Sequence, residues 1–233
     1  MNRPVLAFCG AAGAGKDSVA KSIADFGVVR YGFARPLKNL CARLFGWDES
    51  QLDELDYKES VSGHVPPPLE AAYIEAVIDD QFPNAGNPTF REAAGHHLYA
   101  ILSAIHPEWT RRRILQWVGT EGFRHLNKNH WTERAFVGVR QLLAQPDVAG
   151  VALTDLRFLN EAEELRREFP GTGFVIRVDR LDDGPRTSQS GHVSEQEWDR
   201  VVPDFKLAAR FGELPALYTQ MGLVWTEIQE RIA

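Results

Sequence analysis

Residues Gly10 to Ser18 read GAAGAGKDS and directly follow the apolar run VLAFC. The pattern Gly, four residues, Gly, Lys, then Ser or Thr marks a loop that wraps its backbone around a polyphosphate. Gly10, Gly13, Gly15 and Lys16 are in place, while Asp17 stands where a hydroxyl residue is usual. Glycines let the loop turn its N–H groups inward. The following helix presents its positive end to the same anion. The spacing of Val19, Ala20, Ile23 and Phe26 predicts that helix over about 16–26. A strand, a glycine loop and a helix in this order commit the chain to an α/β fold. Gly10, Ala11, Gly13, Ala14, Gly15, Lys16, Asp17 and Ser18 are the candidate phosphate-cradling residues.

Asp17 has two readings. A carboxylate suits Mg²⁺, which takes oxygen ligands, or it supports the helix N-terminus electrostatically. Ser18 lies roughly 100° further round the helix and is a poor substitute for the missing hydroxyl.

The chain's 233 residues are enough for one good core with a small mobile subdomain. A formal net charge of −6 argues against a duplex-binding surface, where phosphate neutralisation dominates. No apolar stretch reaches membrane-span length, and the short N-terminal apolar run is no signal peptide. Cys9 and Cys41 sit among apolar neighbours and read as buried thiols rather than a disulfide. A cytoplasmic location follows. The seven histidines, with His96 beside His97 and His125 five residues from His130, do not have zinc-site spacing.

Strands are predicted at 5–9, 28–33, 148–155 and 173–180, alternating with helices, which implies a mostly parallel sheet covered on both faces. Further helices are expected over PLKNLCARLFG, ended by Gly46, LEAAYIEAVIDDQF, 90–105, 111–126, 133–143 and LNEAEELRREF. The last is LPALYTQMGLVWTEIQERI, interrupted by Gly222. Residues 47–88, with three prolines at 66–68, read as an insertion too poor in apolar residues to carry its own core. LDDGPRTSQSGHVSE lacks periodicity, as lids and binding loops often do.

Four further segments carry chemistry. Arg35 and Lys38 open a helix after the second strand, either facing an acceptor phosphate or forming a solvated face. Arg113, Gln116, Thr120 and Arg124 are spaced by three and four, so one helix face holds groups that grip a phosphate and a base edge. Trp131 either stacks on a base or packs, and Trp117 is the better core candidate. Asp155 ends an apolar strand, as does the carboxylate that supports Mg²⁺ in P-loop enzymes, or else it caps a helix. Arg157 follows it. Finally, Arg177, Arg180 and Arg186 stand where they could close over transferring phosphates, with His192, Ser194 and Glu195 beyond.

GAAGAGKD, FARPLK, LQWVGTEGFR, the tryptophan shortly after it, TDLRFLNEAE and HVSE occur in one order. Together they resemble the bacteriophage deoxynucleoside monophosphate kinases, a divergent branch of the P-loop nucleoside monophosphate kinase fold. The resemblance covers most of the chain except about 47–88, and an Asp after the loop lysine is usual in that family. One departure is FKLAARFGEL, which lacks the Asn-containing turn that relatives often carry before the final helix.

The resemblance implies a three-layer α/β P-loop NTPase fold as a single domain over 1–233. A helical acceptor-side region would lie near 47–108 and a mobile lid near 180–198. It implies ATP and Mg²⁺ as donor and metal, with Asp17 and Asp155 assisting the metal. Lys16, Arg157, Arg180 and Arg186 would serve the transition state. Arg35, Lys38, Arg113 and Arg124 would hold the acceptor phosphate, and Gln116, Thr120 and Trp131 the sugar or base. Expected partners are a deoxynucleoside monophosphate, no stably bound nucleic acid and no membrane. The final helix is a candidate homodimer contact, and the cytoplasm would be the host's if the chain is of phage origin. Another small-molecule P-loop kinase, acting on phosphomevalonate or dephospho-coenzyme A, shares the donor features. A non-kinase ATPase module and a nucleic-acid 5′-kinase are further alternatives.

Overall fold

The computed structural model describes residues 2–61, 69–182 and 197–233. The chain forms two compact units, Met1–Ala34 with Thr132–Ala233, and Arg35–Trp131.

The first unit is an α/β sandwich. Its strands are β1 (Val5–Cys9), β2 (Val28–Tyr31), β3 (Gly150–Leu153), β4 (Gly173–Arg180) and β5 (Phe205–Ala209). All pairs are parallel, in the order β2-β3-β1-β4-β5. β1 is buried along its whole length, and its alternating side chains feed two cores. Leu6 and Phe8 pack with Val19 and Ala20 of helix α1 (Lys16–Ser22), Ile23 just after it, and Leu217, Met221 and Ile228 of α9 (Leu214–Ile232). Val5, Ala7 and Cys9 face the other way, toward Ala135, Phe136 and Val139 of α7 (His130–Leu143) and Ala162 and Leu165 of α8 (Leu159–Glu168). These are the three layers the alternation of strands and helices predicts.

Three details differ from the sequence reading. The helix after the phosphate loop ends at Ser22, followed by a 3₁₀ turn, Ala24–Phe26, that closes on Gly27 at φ 76°. β5 was not expected, because FKLAA has a single strong strand former, Phe205, among Lys, Leu and Ala. Its inward positions Phe205, Leu207 and Ala209 nevertheless alternate with Lys206 and Ala208. Gln220 of α9 donates to Ala208 O at 2.9 Å and accepts from Ala208 N at 3.0 Å, satisfying a backbone pair on this edge strand. Gly222 does not break α9, and nothing lies within 4 Å of where its β carbon would be.

The second unit is helical: α2 (Arg35–Phe45), α3 (Leu55–Glu59), α4 (Ala71–Gln81), α5 (Pro88–Ser103) and α6 (Arg111–Gln116), then a π-helical stretch, Trp117–Arg124. Gly46 ends α2 at φ 65°, as expected. Asn87 caps α5 by accepting from Thr89 N at 3.0 Å, with Pro88 in the first turn. Trp47, Leu52, Ile74, Val77 and Ile78 join Leu40, Leu98, Ile114, Val118 and Phe123 in one apolar core. The 47–88 stretch thus contributes to a shared core rather than standing as an insertion outside it. Arg111 anchors its corner, 4.0 Å over the Tyr57 ring and donating to Ser60 Oγ at 2.6 Å.

Candidate active site

Three glycines shape the phosphate loop, each at positive φ: Gly10 at 139°, Gly13 at 76° and Gly15 at 97°. At Gly10 the constraint is also spatial. A β carbon there would lie 2.2 Å from Val178 O on β4. Ala14 is buried in the core beneath the loop, whereas Ala11, Ala12 and Gly13 form an exposed crest. Gly15 has no side chain with which to cap α1, so the first-turn N–H groups of Lys16, Asp17 and Ser18 have neither an intrahelical nor a capping partner.

Lys16 Nζ donates to Gly10 O at 2.9 Å and Ala11 O at 2.8 Å, folding the side chain back along the loop. Burial pulls its ammonium below the ordinary lysine range. Asp17, Cys9 and Asp155 oppose that shift, and Arg157 adds to it. The first-turn carboxylate and the Asp and Arg beyond β3 therefore lie within electrostatic reach of the loop lysine. Cys9, fully buried at the loop's entrance, has its thiol pushed up to about 11 by burial, against Arg177 and Lys16. It is a packing residue rather than a nucleophile. Both cysteines are free and buried.

Asp155 has a defined structural task. Its carboxylate accepts from Phe33 N at 2.7 Å and from Ala34 N at 3.1 Å, the two residues before α2. It caps no part of α8. There Glu161, itself buried, accepts from Arg157 N at 2.7 Å and Phe158 N at 3.0 Å. A carboxylate offers about four lone-pair sites, so two backbone bonds leave Asp155 acceptor capacity. Asp17 is exposed in the first turn of α1. Among the described residues no three His, Cys, Asp or Glu side chains form a metal-holding group. Such a cage is not needed for Mg²⁺, which is commonly held by one or two carboxylates with phosphate oxygens and water. Asp17, with Asp155 in support, fits that ion.

The arginines differ in freedom. Arg157 is exposed. Arg180, at the end of β4, lies 5.1 Å over the Phe211 ring and 3.4 Å from Asp182. Arg177 is tied to Asp179 and Asp199, each at 2.8 Å, with its guanidinium 4.9 Å over the Trp198 ring. Its hydrogen bond to Asp179 raises its pKa further. Arg177 is a structural strut. Arg186, His192, Ser194 and Glu195, with most of the expected lid, lie outside the described residues.

The remaining candidates belong to the helical unit. Arg35 and Arg113 are exposed, and Lys38 pairs with Asp53. Arg113 rests 4.0 Å over the Trp109 ring. Gln116, Thr120 and Arg124 are half-buried, but they do not continue one regular α-helical face. α6 ends at Gln116, and the wider π turn carries Thr120 and Arg124.

Of the two readings of Trp131, stacking on a base or packing, its surroundings match packing. It is 5 % exposed, packs edge-on to Phe123 and His130, and donates Nε1 to Gly119 O at 3.0 Å. Its ring faces are spent on the core. Trp117, the better core candidate by sequence, is only half-buried, with Nε1 donating to Ile101 O at 3.0 Å. His97, beside His96 in the sequence and without a spacing signal there, brings Nε2 to the carbonyls of Glu121 and Gly122.

No family model matches the chain. A mimivirus protein named "Putative deoxynucleotide monophosphate kinase", from Acanthamoeba polyphaga mimivirus, is 25% identical over 219 residues, covering 89% of this chain and 91% of that protein. This likeness bears on the kinase resemblance and not on a phage origin. No helix among the described residues is long and apolar enough to cross a membrane.

Proposed function

We propose that this chain is a nucleotide kinase that transfers the γ-phosphoryl group of ATP to a deoxynucleoside 5′-monophosphate, releasing ADP and a deoxynucleoside diphosphate. The observation that carries the reading is the phosphate loop, whose Lys16 lies within electrostatic reach of Asp17, Asp155 and Arg157. The likeness to the mimivirus protein, running nearly end to end, supports a kinase-type enzyme.

The chemistry asks little of a general base. A phosphate monoester has its second pKa at about 6, so the acceptor oxygen is already ionised at neutral pH. That oxygen attacks the γ-phosphorus, and the bond to the β–γ bridging oxygen breaks, leaving ADP. The protein's part is positioning and charge stabilisation. Loop N–H groups and Lys16 hold the donor phosphates, and Arg157, Arg180 and Arg186 supply positive charge as it develops on the equatorial oxygens. Asp17, with Asp155, would hold Mg²⁺, whose contribution is to neutralise phosphate charge. Arg35, Lys38, Arg113 and Arg124 are the acceptor-phosphate candidates, and Gln116 and Thr120 those for sugar or base.

Coupled ADP-release assays with Mg-ATP test this against deoxynucleoside and ribonucleoside monophosphates, phosphomevalonate, dephospho-coenzyme A and a 5′-hydroxyl oligonucleotide. ADP release that requires a deoxynucleoside monophosphate and disappears in Lys16→Ala is the expected result. Release indifferent to every acceptor overturns the kinase reading in favour of an ATPase, and dependence on another acceptor overturns the substrate.

A further inference from the structure

We propose that His97 is a positioning residue for the acceptor side: it supplies the hydrogen-bond donor that terminates the π-helical turn and so fixes where Thr120 and Arg124 stand. This rests on the reading of Thr120 and Arg124 as acceptor-site residues.

The argument is a count of donors. In an α-helix each carbonyl accepts from the N–H four residues on, and in a π-helix from the fifth. Where a π turn reverts to the α pattern, one carbonyl is left without a backbone donor. Here the His125 N–H bonds to Thr120 O, five residues back. The Asn127 N–H bonds to Phe123 O, four residues back, at 3.0 Å. Between them, the carbonyls of Glu121 and Gly122 have one helical N–H within register, that of Leu126. His97, on α5, brings Nε2 to 2.8 Å from Glu121 O and 3.1 Å from Gly122 O. Carbonyl oxygens only accept, so Nε2 must carry the proton. The imidazole is stacked on the His125 ring, with centroids 5.0 Å apart and planes 17° from parallel.

The other end of the π stretch is also held from outside, by the Trp131 Nε1 bond to Gly119 O. Thr120 lies between these two tethers, and Arg124 stands two residues beyond the second. A slip of one residue in register would swing Arg124 by roughly 100° about the helix axis. π turns are rare and recur at functional sites.

Two variants separate the donor from the ring. His97→Gln keeps an N–H donor at similar reach, and His97→Phe keeps the ring without the donor. Amide hydrogen exchange over residues 117–127 reads the register, and separate Michaelis constants for deoxynucleoside monophosphate and ATP read its use. In His97→Phe, exchange should quicken and the acceptor KM rise by about tenfold, the loss of one hydrogen bond's worth of order. The ATP KM should stay unchanged, and His97→Gln should restore both readouts to near wild type. Unchanged exchange in His97→Phe, or identical behaviour of the two variants, overturns the proposal. So does altered exchange with an unmoved acceptor KM in an enzyme that turns over deoxynucleoside monophosphates. A wild-type enzyme inactive on every such acceptor overturns the function proposed above and leaves His97 a structural hydrogen bond only.

Discussion

In the phosphate loop the backbone sets the geometry. Three glycines adopt φ values that side chains resist, and β4 presses against the first of them. In the π-helical stretch Trp117–Arg124 side chains reach in from elsewhere: Trp131 onto Gly119, and His97 onto Glu121 and Gly122. The first kind of site tolerates almost no change at its fixed points. The second should accept any residue that brings the same donor to the same place.

The largest effect expected from this contrast is at Gly10. Alanine there puts a β carbon 2.2 Å from Val178 O at φ 139°, and neither backbone can yield cheaply. Gly10→Ala should lose more than about 4 kcal/mol, the range reached when packed backbone must move. Gly13→Ala, on the exposed crest at φ 76°, should cost only the conformational strain of about 1–2 kcal/mol. Thermal unfolding separates them, since each kcal/mol moves the midpoint by about 2–4 °C in a chain of this size. Equal midpoints would mean that the contact with β4 is not what constrains the loop.

Trp131 comes next and tests the other side of the comparison. Trp131→Ala should destabilise by about 3 kcal/mol through the cavity it leaves. Trp131→Phe should lose about 1 kcal/mol, mainly the bond to Gly119 O. A Trp131→Phe enzyme of unchanged stability whose acceptor KM rises sharply would restore the base-stacking role that burial argues against.

What could be read from the chain alone follows the same division. β1, the loop and the sandwich were legible because period-2 runs and a glycine motif are local signals. Lys16 and Asp17 are placed by the same motif at the start of α1, and Asp155 and Arg157 by the strand they follow. β5 was lost because FKLAA is poor in β-branched and aromatic residues. The shared helical core was lost because Trp47, Leu52 and Ile74 meet partners dozens of residues away. The face drawn through Arg113, Gln116, Thr120 and Arg124 presumed an unbroken α-helix, and the sequence WVGTEGFR carries no mark of a π turn beyond its two glycines.

Asp155 lies between the two modes, a side chain that fixes backbone. Asn can offer an oxygen to one of the Phe33 and Ala34 N–H groups but turns an N–H toward the other. Asp155→Asn should therefore lose about 2 kcal/mol, as for hydrogen bonds to a charged group. If Asp155 also serves the metal, the Mg²⁺ concentration for half-maximal rate rises together with the instability. If Asp17 alone does, only Asp17→Ala moves it. Urea unfolding and Mg²⁺ titration of both variants decide between these.

The smallest effect is the pH response of Lys16, and its sign distinguishes a ligand-holding cation from a structural one. Burial has lowered its pKa in the free protein, so its charge is lost at lower pH than an ordinary lysine's. Below that folded pKa the protein bears the cost of a desolvated ammonium. Between it and the ordinary value the unfolded chain binds more protons, so Lys16 makes stability rise with pH. Donor binding runs the opposite way, since the polyphosphate needs the charge. The KM for ATP should climb a few-fold on the alkaline side while Lys16's stability contribution improves. Bound phosphate favours the ammonium, so the alkaline limb of kcat should lie at higher pH than that of kcat/KM. Lys16→Arg keeps the charge across this range and should erase the limb in KM, whatever it does to the rate. Lys16→Met should abolish turnover yet unfold at a higher temperature than wild type at neutral pH, because it removes a cation that the loop holds at a desolvation cost. A Lys16→Met protein less stable than wild type would mean that the bonds to Gly10 O and Ala11 O outweigh desolvation. The loop lysine would then be one of its structural supports.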